Sequence, residues 1–507
     1  MIDILYIHTP PAVDRASVGP PGFFADVNLD QIIDAVTQGR ETYDLKPDFR
    51  TPLRSLEEIR YRHETMRDLE DPGLFQGIKA FSGQLGRVRG HLRQLDQFHE
   101  SLQKDRWFLE AVKLYADAAA ELRVVLADAR LGSMALTRFR TYLDGYLDSG
   151  AFQAMRSEVE AISDQLGQVR YTLLIDGACV TVQRFDQERD FGQRVLDIFA
   201  KFKQGEVKTY LVDFHKQVQL NGVESRILDR VALLYPETFT ALADFRAQHA
   251  DFIDPSIHKF ERDIQFFLAY LEFLAPMKQA GLPFCLPTLS NRDRSVHCLD
   301  GFDLALARKL VAQGSPIVCN DFHLDPEERV LVVTGPNQGG KTTFARSVAQ
   351  WHYLASLGCP VPGREAQLFL VDRIFTHFEK EEATTNLRGK LQDELIRIQE
   401  ILHQATGDSL IVINEMFAST VWQDATMMAL AVLDRILDLG ATCVWVTFLE
   451  ELAGQGGRTV SLVSVIEPGD QVARTFKIRR QPADGFAYAQ AIAEKHGLTY
   501  GQLKERI

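Results

Sequence analysis

Cysteine is sparse in this chain, and its six thiols are scattered. Cys179, Cys285, Cys298, Cys319, Cys359 and Cys443 form no C-x-x-C pair. A disulfide frame or a paired-ligand zinc site is therefore not expected, whereas free thiols in a reducing cytoplasm are. Long apolar runs are also missing: no stretch approaches the ~18 residues that suggest a membrane-spanning helix. The N-terminus, MIDILYIHTPPAVDR, lacks the basic segment and small-residue cleavage site of a secretory signal. A cytoplasmic protein with no membrane partner is expected. Positive charge is in deficit, with 56 Lys and Arg against 69 Asp and Glu and a net charge of −13. An acidic chain can bind DNA well only where Lys and Arg are concentrated locally. Two short basic clusters exist, Arg87, Arg89 and Arg93, and Arg479 and Arg480. Both read as solvated helix faces. No internal repeat or low-complexity segment is present. What remains is an ordinary packed composition, 46% apolar and 25% charged over 507 residues, enough for two to four domains.

Three segments follow from the pattern along the chain. Residues 1–45 open with Pro10, Pro11, Pro20, Pro21 and Gly22, which bar a helix, followed by an apolar-periodic stretch from Asn28 to Val36. This is read as an extended arm with one helix. Residues 46–281 read as helical and lever- or clamp-like. Ser55 with Glu57 and Glu58 suits a helix start. Proline-free stretches from Phe75 to Leu131 and from Thr137 to Val169 carry apolar residues at three- and four-residue spacing. A hairpin is predicted at 171–182, with Asp176-Gly177 as its turn. Helical pattern resumes by Gln193 and continues through Arg226 to His249. The Phe-rich helix Ile257 to Leu274 is expected to end before Pro276. Residues 282–507 alternate short β-branched runs (330–333, 410–413, 443–447, 460–466) with helical patterns, the sign of an α/β domain with a largely parallel sheet. The tail from Ala483 reads as one or two closing helices.

The strongest local signal is Gly335-Pro336-Asn337-Gln338-Gly339-Gly340-Lys341-Thr342, a full match to the phosphate-loop pattern G-x-x-x-x-G-K-[ST]. A strand, Val330 to Val333, leads in, and an amphipathic helix from Thr342 to about Leu357 leads out. Glycines let backbone amides converge on phosphate oxygens, and the helix N-terminus adds positive potential. Lys341 is expected at the β- and γ-phosphates of ATP and the Thr342 hydroxyl at Mg²⁺. Leu410-Ile-Val-Ile-Asn414-Glu415 is a buried run ending in polar acceptors, expected on a strand adjacent to that of the loop. Asn414 stands where a metal-holding Asp is usual, and Glu415 is the candidate catalytic base beside Lys341. Trp445-Val-Thr447-Phe448 is a third strand end. Its Phe448 occupies a position usually taken by a switch His and cannot donate a hydrogen bond.

Together these residues resemble the MutS family of DNA mismatch-repair ATPases. Thr334-Gly-Pro-Asn-Gln-Gly-Gly-Lys-Thr-Thr343 is similar to its TGPNMGGKST loop, Asp372-Arg-Ile-Phe-Thr376 to its DRIFTR segment, and Ile401 to Leu410 to its ILxxATxxSL run. Upstream, Thr51-Pro-Leu and Glu58-Ile-Arg-Tyr-Arg62 look like the start of the family's helical lever. The resemblance implies an ABC-type ATPase domain, a nucleotide cradle at Gly335 to Thr343, ATP and Mg²⁺ as cofactors, and a homodimer. It also implies that Ile317 and Val318 fall where the family contacts adenine, although an apolar pair before a strand is more often core. No mismatch-reading domain is visible, and the chain is expected to begin near the family's third domain. Phe23 and Phe24 read as a packed anchor for the arm rather than a DNA wedge. Departures accompany the matches. Asn386-Leu-Arg388-Gly389-Lys390 puts Gly389 where a signature Ser would reach a partner's γ-phosphate. Ala418-Ser419-Thr420 replaces GRGTST, with Asp424 keeping the acidic position. His323, His377 and His403 are not expected to be catalytic. The expected function is a slow, DNA-associated ATPase acting as an ATP-gated dimeric clamp. The alternative is an ATP-sensing dimeric scaffold with little hydrolysis that binds a protein partner.

Overall fold

The computed structural model describes residues 2–8, 19–186, 220–379, 389–418, 420–467 and 470–483, with Ile198 and Lys504. The expected helix from Gln193 and the closing tail lie outside these residues. In chain order the helices begin with α1 (Leu29–Thr37), α2 (Lys46–Arg50), α3 (Leu56–Asp68), α4 (Pro72–Leu95) and α5 (Ser101–Asp128). They continue with α6 (Met134–Leu147), α7 (Gly150–Gln168), α8 (Gly222–Leu234), α9 (Pro236–Gln248) and α10 (Pro255–Gln279). The last four are α11 (Leu304–Ala312), α12 (Lys341–Ser356), α13 (Lys390–Gln404) and α14 (Trp422–Leu439). The chain divides into two compact units.

The first unit holds residues 71–131 and 137–261, with the first two residues. Its helices start where the sequence supplies caps. Asp71 accepts from Leu74 N at 2.8 Å with Pro72 at the first helical position, Ser149 accepts from Phe152 N at 3.3 Å, and Asn221 forms a capping box with Glu224. The stretch Phe75 to Leu131 is two helices, because α4 ends at Leu95 and α5 begins at Ser101. Aromatic rings fill the core: Phe139 stacks on Phe260 at 3.6 Å and Phe108 meets Phe252 edge-on at 5.4 Å. Arg89, from the basic cluster, is paired with buried Glu261 at 2.6 Å. The hairpin forms as β1 (Tyr171–Asp176) against β2 (Cys179–Arg184). Asp176 pairs with Cys179, so the two turn residues are Gly177 and Ala178, one step past the expected dipeptide; Gly177 supplies the φ of +59° that the first turn position needs.

The second unit holds residues 3–70, 132–136 and 262–507. Residues 3–70, expected as an arm and the start of a lever, thus count with the α/β part. Ser55 caps α3, accepting from Glu57 N at 3.2 Å. Two small sheets accompany the loop-bearing one among the described residues. A pair joins β3 (Phe284–Cys285) to β8 (Val361–Pro362). A four-stranded sheet orders β4 (Thr288–Ser290), β9 (Glu365–Phe369), β5 (Val296–Gly301) and β6 (Asn320–Leu324). The large sheet contains β7 (Val330–Thr334), β10 (Ile374–His377), β11 (Leu410–Asn414), β12 (Thr442–Val446), β13 (Thr459–Glu467) and β14 (Asp470–Arg480). Their order is β10-β11-β12-β7-β13-β14, parallel except for β14 at the edge. Two corrections follow. β11 is not adjacent to β7, because β12 lies between them and pairs with both. Arg479 and Arg480 lie on a strand, and Arg480 pairs with Glu328.

The sheet interior is apolar without alternation: Val330, Leu331, Val332, Ile411, Ile413, Cys443 and Trp445 have no exposed surface. Such runs suit parallel strands covered on both faces. Helix α12 is buried almost throughout, down to the polar Gln350 and His352. The N-terminal segment packs against it. Phe24 meets Tyr353 edge-on at 4.9 Å, as the anchor reading expected. Gln350 Nε2 donates to Val27 O at 2.9 Å, Arg346 Nε to Asp26 O at 2.8 Å, and Thr376 Oγ1 to Asp26 Oδ2 at 2.5 Å. Helix α10 does not stop before Pro276 but runs to Gln279. A proline in the last turn removes one internal hydrogen bond where the helix is ending anyway. No helix among the described residues is long and apolar enough to cross a membrane, and the six cysteines are free.

Burial pushes His352 down to about 4. Its Nδ1 lies 2.9 Å from Val348 O and its Nε2 has no hydrogen-bond partner. A histidine held neutral by the fold contributes stability that is complete above its unfolded value near 6.5 and is lost as pH falls toward the folded value. Folding stability should therefore fall between pH 6.5 and 4. Denaturant titrations of wild type and His352→Leu across that range should show the wild type losing up to ~3 kcal/mol more than the variant.

Candidate nucleotide site

The site is built at the C-terminal ends of β7, β11, β12 and β13. Strand β7 ends at Thr334, and the chain turns through Gly335 to Gly340 directly into α12. Two glycines are required here. Gly335 has φ +115°, and a Cβ there would stand 3.0 Å from Ser464 N; at Gly339 a Cβ would lie 2.2 Å from Ser464 Oγ. Ser464, on β13, donates to Gly339 O at 2.7 Å and so braces the loop from behind. Lys341 is buried, and its Nζ donates to Gly335 O at 2.8 Å and Pro336 O at 3.0 Å. The Phe448 ring, at the end of β12, lies 4.5 Å from the same ammonium. Phe448 therefore stands at the loop, offering a π face where a histidine would offer a proton.

Thr342 Oγ1 donates to Asn414 Oδ1 at 2.8 Å. The two oxygens that the sequence assigns to a metal thus come together from the first turn of α12 and the end of β11. Hard oxygen donors at the head of a phosphate loop fit Mg²⁺, which takes few protein ligands and completes its shell with water and phosphate. Glu415 follows at φ +55°, with its N donating to Val446 O at 2.9 Å. A non-glycine residue in the left-handed region is held there by its surroundings.

Asn337 to Thr343 and Glu415 line a cavity of about 490 Å³. Ile317 and Val318 also line it, with Phe302, Asp303 and Phe476. The apolar pair that sequence alone would give to the core lines the cavity instead. Three residues at this site escaped sequence reading. Asp303 caps α11, accepting from Leu306 N at 2.8 Å, and also accepts from Gln350 Nε2 at 3.0 Å; burial pushes its carboxyl up to about 6. The backbone of Phe476 sits at φ +56°, and Asn320 accepts from Ile478 N and donates to Phe476 O. Ser464 is the third. Only Asp303 had a readable signal, a capping residue before an apolar run; the other two act through strands that are distant in sequence.

Other expectations fall as follows. Asn386 to Arg388 and Ser419 lie outside the described residues. Gly389 is the residue before α13, and Lys390 pairs with Glu379. Asp424 sits in the first turn of α14. His377 is buried on β10, its Nε2 3.3 Å from Glu394 O. His323, His377 and His403 do not line the cavity. Asp372 accepts from Thr406 Oγ1 and Ser409 Oγ, both at 2.7 Å. It thereby ties the start of β10 to the start of the strand that ends in Asn414 and Glu415.

A glycine loop between a buried parallel strand and a buried helix, facing a Thr–Asn oxygen pair and a carboxylate, defines a P-loop ATPase-like domain. Comparison with known proteins refines the class: residues 331–498 match MutS domain V. The chain is 27% identical over 496 residues to the DNA mismatch repair protein MutS of Chlorobaculum tepidum, covering 88% of this chain and 54% of that protein. It is 28% identical over 289 residues to that of Chlorobium limicola, covering 55% and 32%. With that of Zymomonas mobilis it shares 35% over 154 residues, covering 30% and 18%. Residues 331–498 thus match MutS domain V, and most of the chain is similar to MutS proteins. It spans about half or less of the length of these relatives.

The Asp372 link is open to measurement. Asp372→Ala leaves two hydroxyls without their acceptor and should lower the unfolding free energy by about 1–3 kcal/mol, read from the urea midpoint at constant slope.

Proposed function

We propose that this chain is an ABC-type, Mg²⁺-dependent ATPase of slow turnover that works as an ATP-gated homodimeric clamp on DNA. The observation that carries the reading is the Thr342–Asn414 contact at 2.8 Å beside a buried Lys341 and a cavity-lining Glu415. The loop amides and Lys341 bind the triphosphate, and the apolar end at Ile317 and Val318 receives the base. Thr342 and Asn414 hold magnesium, which when bound neutralises charge between the β- and γ-phosphates. Glu415 orients the attacking water and accepts its proton. Asn414 supplies an oxygen without the charge of Asp, and Phe448 supplies no proton; both support slow turnover.

The dimer and the DNA contact follow the resemblance to MutS proteins. The relatives are named for DNA mismatch repair, and Val421, Trp422 and Met427 stand exposed just beyond the Glu415 loop, where a second copy would cover them. The net charge of −13 favours contact with DNA through local basic groups over a continuous basic surface.

The test combines binding, turnover and mass. Lys341→Ala should lose ATP affinity at least about 100-fold, roughly 3 kcal/mol of charge-assisted contact. Glu415→Gln should keep affinity and release phosphate at least about 100-fold more slowly, as loss of a general base predicts. Wild type with ATP and Mg²⁺ should double in mass and protect DNA from nuclease. Equal ATP affinity in Lys341→Ala would overturn the nucleotide reading. Turnover indistinguishable from Glu415→Gln would leave an ATP-sensing scaffold in its place.

A further inference from the structure

The Glu415 loop is clamped at two points, and only one of them belongs to the sheet. Glu415 N donates to Val446 O of β12 at 2.9 Å. Two residues on, Phe417 N donates to the Glu394 carboxylate, Oε2, at 3.1 Å. Glu415 and Phe417 both adopt left-handed backbone, φ +55° and +65°. Left-handed conformations at two non-glycine residues so close together persist only when the surroundings impose them. Phe417 is itself buried, so its amide has no water to turn to.

Glu394 is placed to impose that geometry. It lies on α13 and is buried, an unusual position for a carboxylate. Its own carbonyl lies 3.3 Å from His377 Nε2 on β10, which fixes this turn of α13 against the sheet. Burial raises its carboxyl from the ordinary range, while the Phe417 amide and Lys390 act in the opposite direction. A buried carboxylate accepting one backbone amide is costly unless that bond is strong and specific.

Resting on Glu415 as the base, we propose that Glu394 is a positioning residue for hydrolysis: its carboxylate holds the Phe417 amide, and through it the backbone that aims Glu415 into the cavity. Glu394 touches neither nucleotide nor water. Its effect is on kcat, because the phosphate loop that sets affinity is held separately, by Ser464 and by the carbonyls around Lys341.

The experiment compares Glu394→Ala and Glu394→Gln with wild type. Nucleotide affinity, steady-state kcat and KM, and hydrogen exchange of the Phe417 amide are measured on the full chain. Glutamine keeps an acceptor oxygen at nearly the same place; alanine removes it. Expected for Glu394→Ala are a kcat lower by about 10- to 100-fold, the range for a displaced catalytic group, ATP affinity within about threefold, and faster exchange at Phe417. Glu394→Gln should recover kcat to within about threefold and restore protection. Unchanged kcat in Glu394→Ala would overturn the proposal. So would equal loss in both variants, or a parallel loss of affinity and kcat. If wild type itself releases no phosphate, the ATPase reading has failed; the Phe417 exchange still decides whether Glu394 holds the loop, since unchanged protection in Glu394→Ala overturns it.

Discussion

Two backbone carbonyls, Gly335 O and Pro336 O, hold the Lys341 ammonium at 2.8 and 3.0 Å. That grip bends the loop after β7 into a cradle. A buried cation must have acceptors, and the loop can supply them only if its backbone doubles back over the lysine. This requires Gly335 at positive φ and Gly339 pressed against Ser464. Much else at the site is arranged around this constraint. β13 carries the brace, β12 brings the Phe448 ring to the same ammonium, and β11 delivers Asn414 to Thr342. The sheet order accounts for this convergence: with β12 between β11 and β7, the three strands end side by side.

Sequence revealed the cradle and hid most of its supports. The spacing of Gly335, Gly340, Lys341 and Thr342 is a one-dimensional signal, because the chemistry itself is local to eight consecutive residues. The metal-side pair Thr342 and Asn414 was legible for the same reason at each end, although the strand between them was not. β7, β11 and β12 are all uniformly buried apolar runs, and such runs carry no information about which neighbour they pair with. Ser464 and Phe476 were invisible because they act through strands more than 120 residues from the loop. Glu394 was passed over because its partner is a backbone amide, which every residue has. Pro276 misled in the other direction: the rule that proline ends a helix is weakest in the final turn, where few hydrogen bonds are left to lose.

The departures from the family pattern leave the cradle intact and alter the charge around it. Asn414 still accepts from Thr342, so the contact survives the exchange of carboxylate for amide, and only its attraction for a cation weakens. Phe448 replaces a potential proton donor by a ring that attracts Lys341 electrostatically. Both changes act on the stage after binding. In the proposed reaction, grip rests on the loop braced by Ser464, and turnover on Asn414, Glu415 and Phe448.

The packing of residues 24–27 against α12 bears on how the α/β part can be isolated. Val27 O and the two acceptors of Asp26 satisfy Gln350, Arg346 and Thr376, and Phe24 covers Tyr353. A shortened form starting near residue 282, where the sequence changes character, would strip these partners from the helix that carries the phosphate loop. The α/β part is thus not an excisable module starting near residue 282; the helix that follows its phosphate loop is completed by residues 24–27.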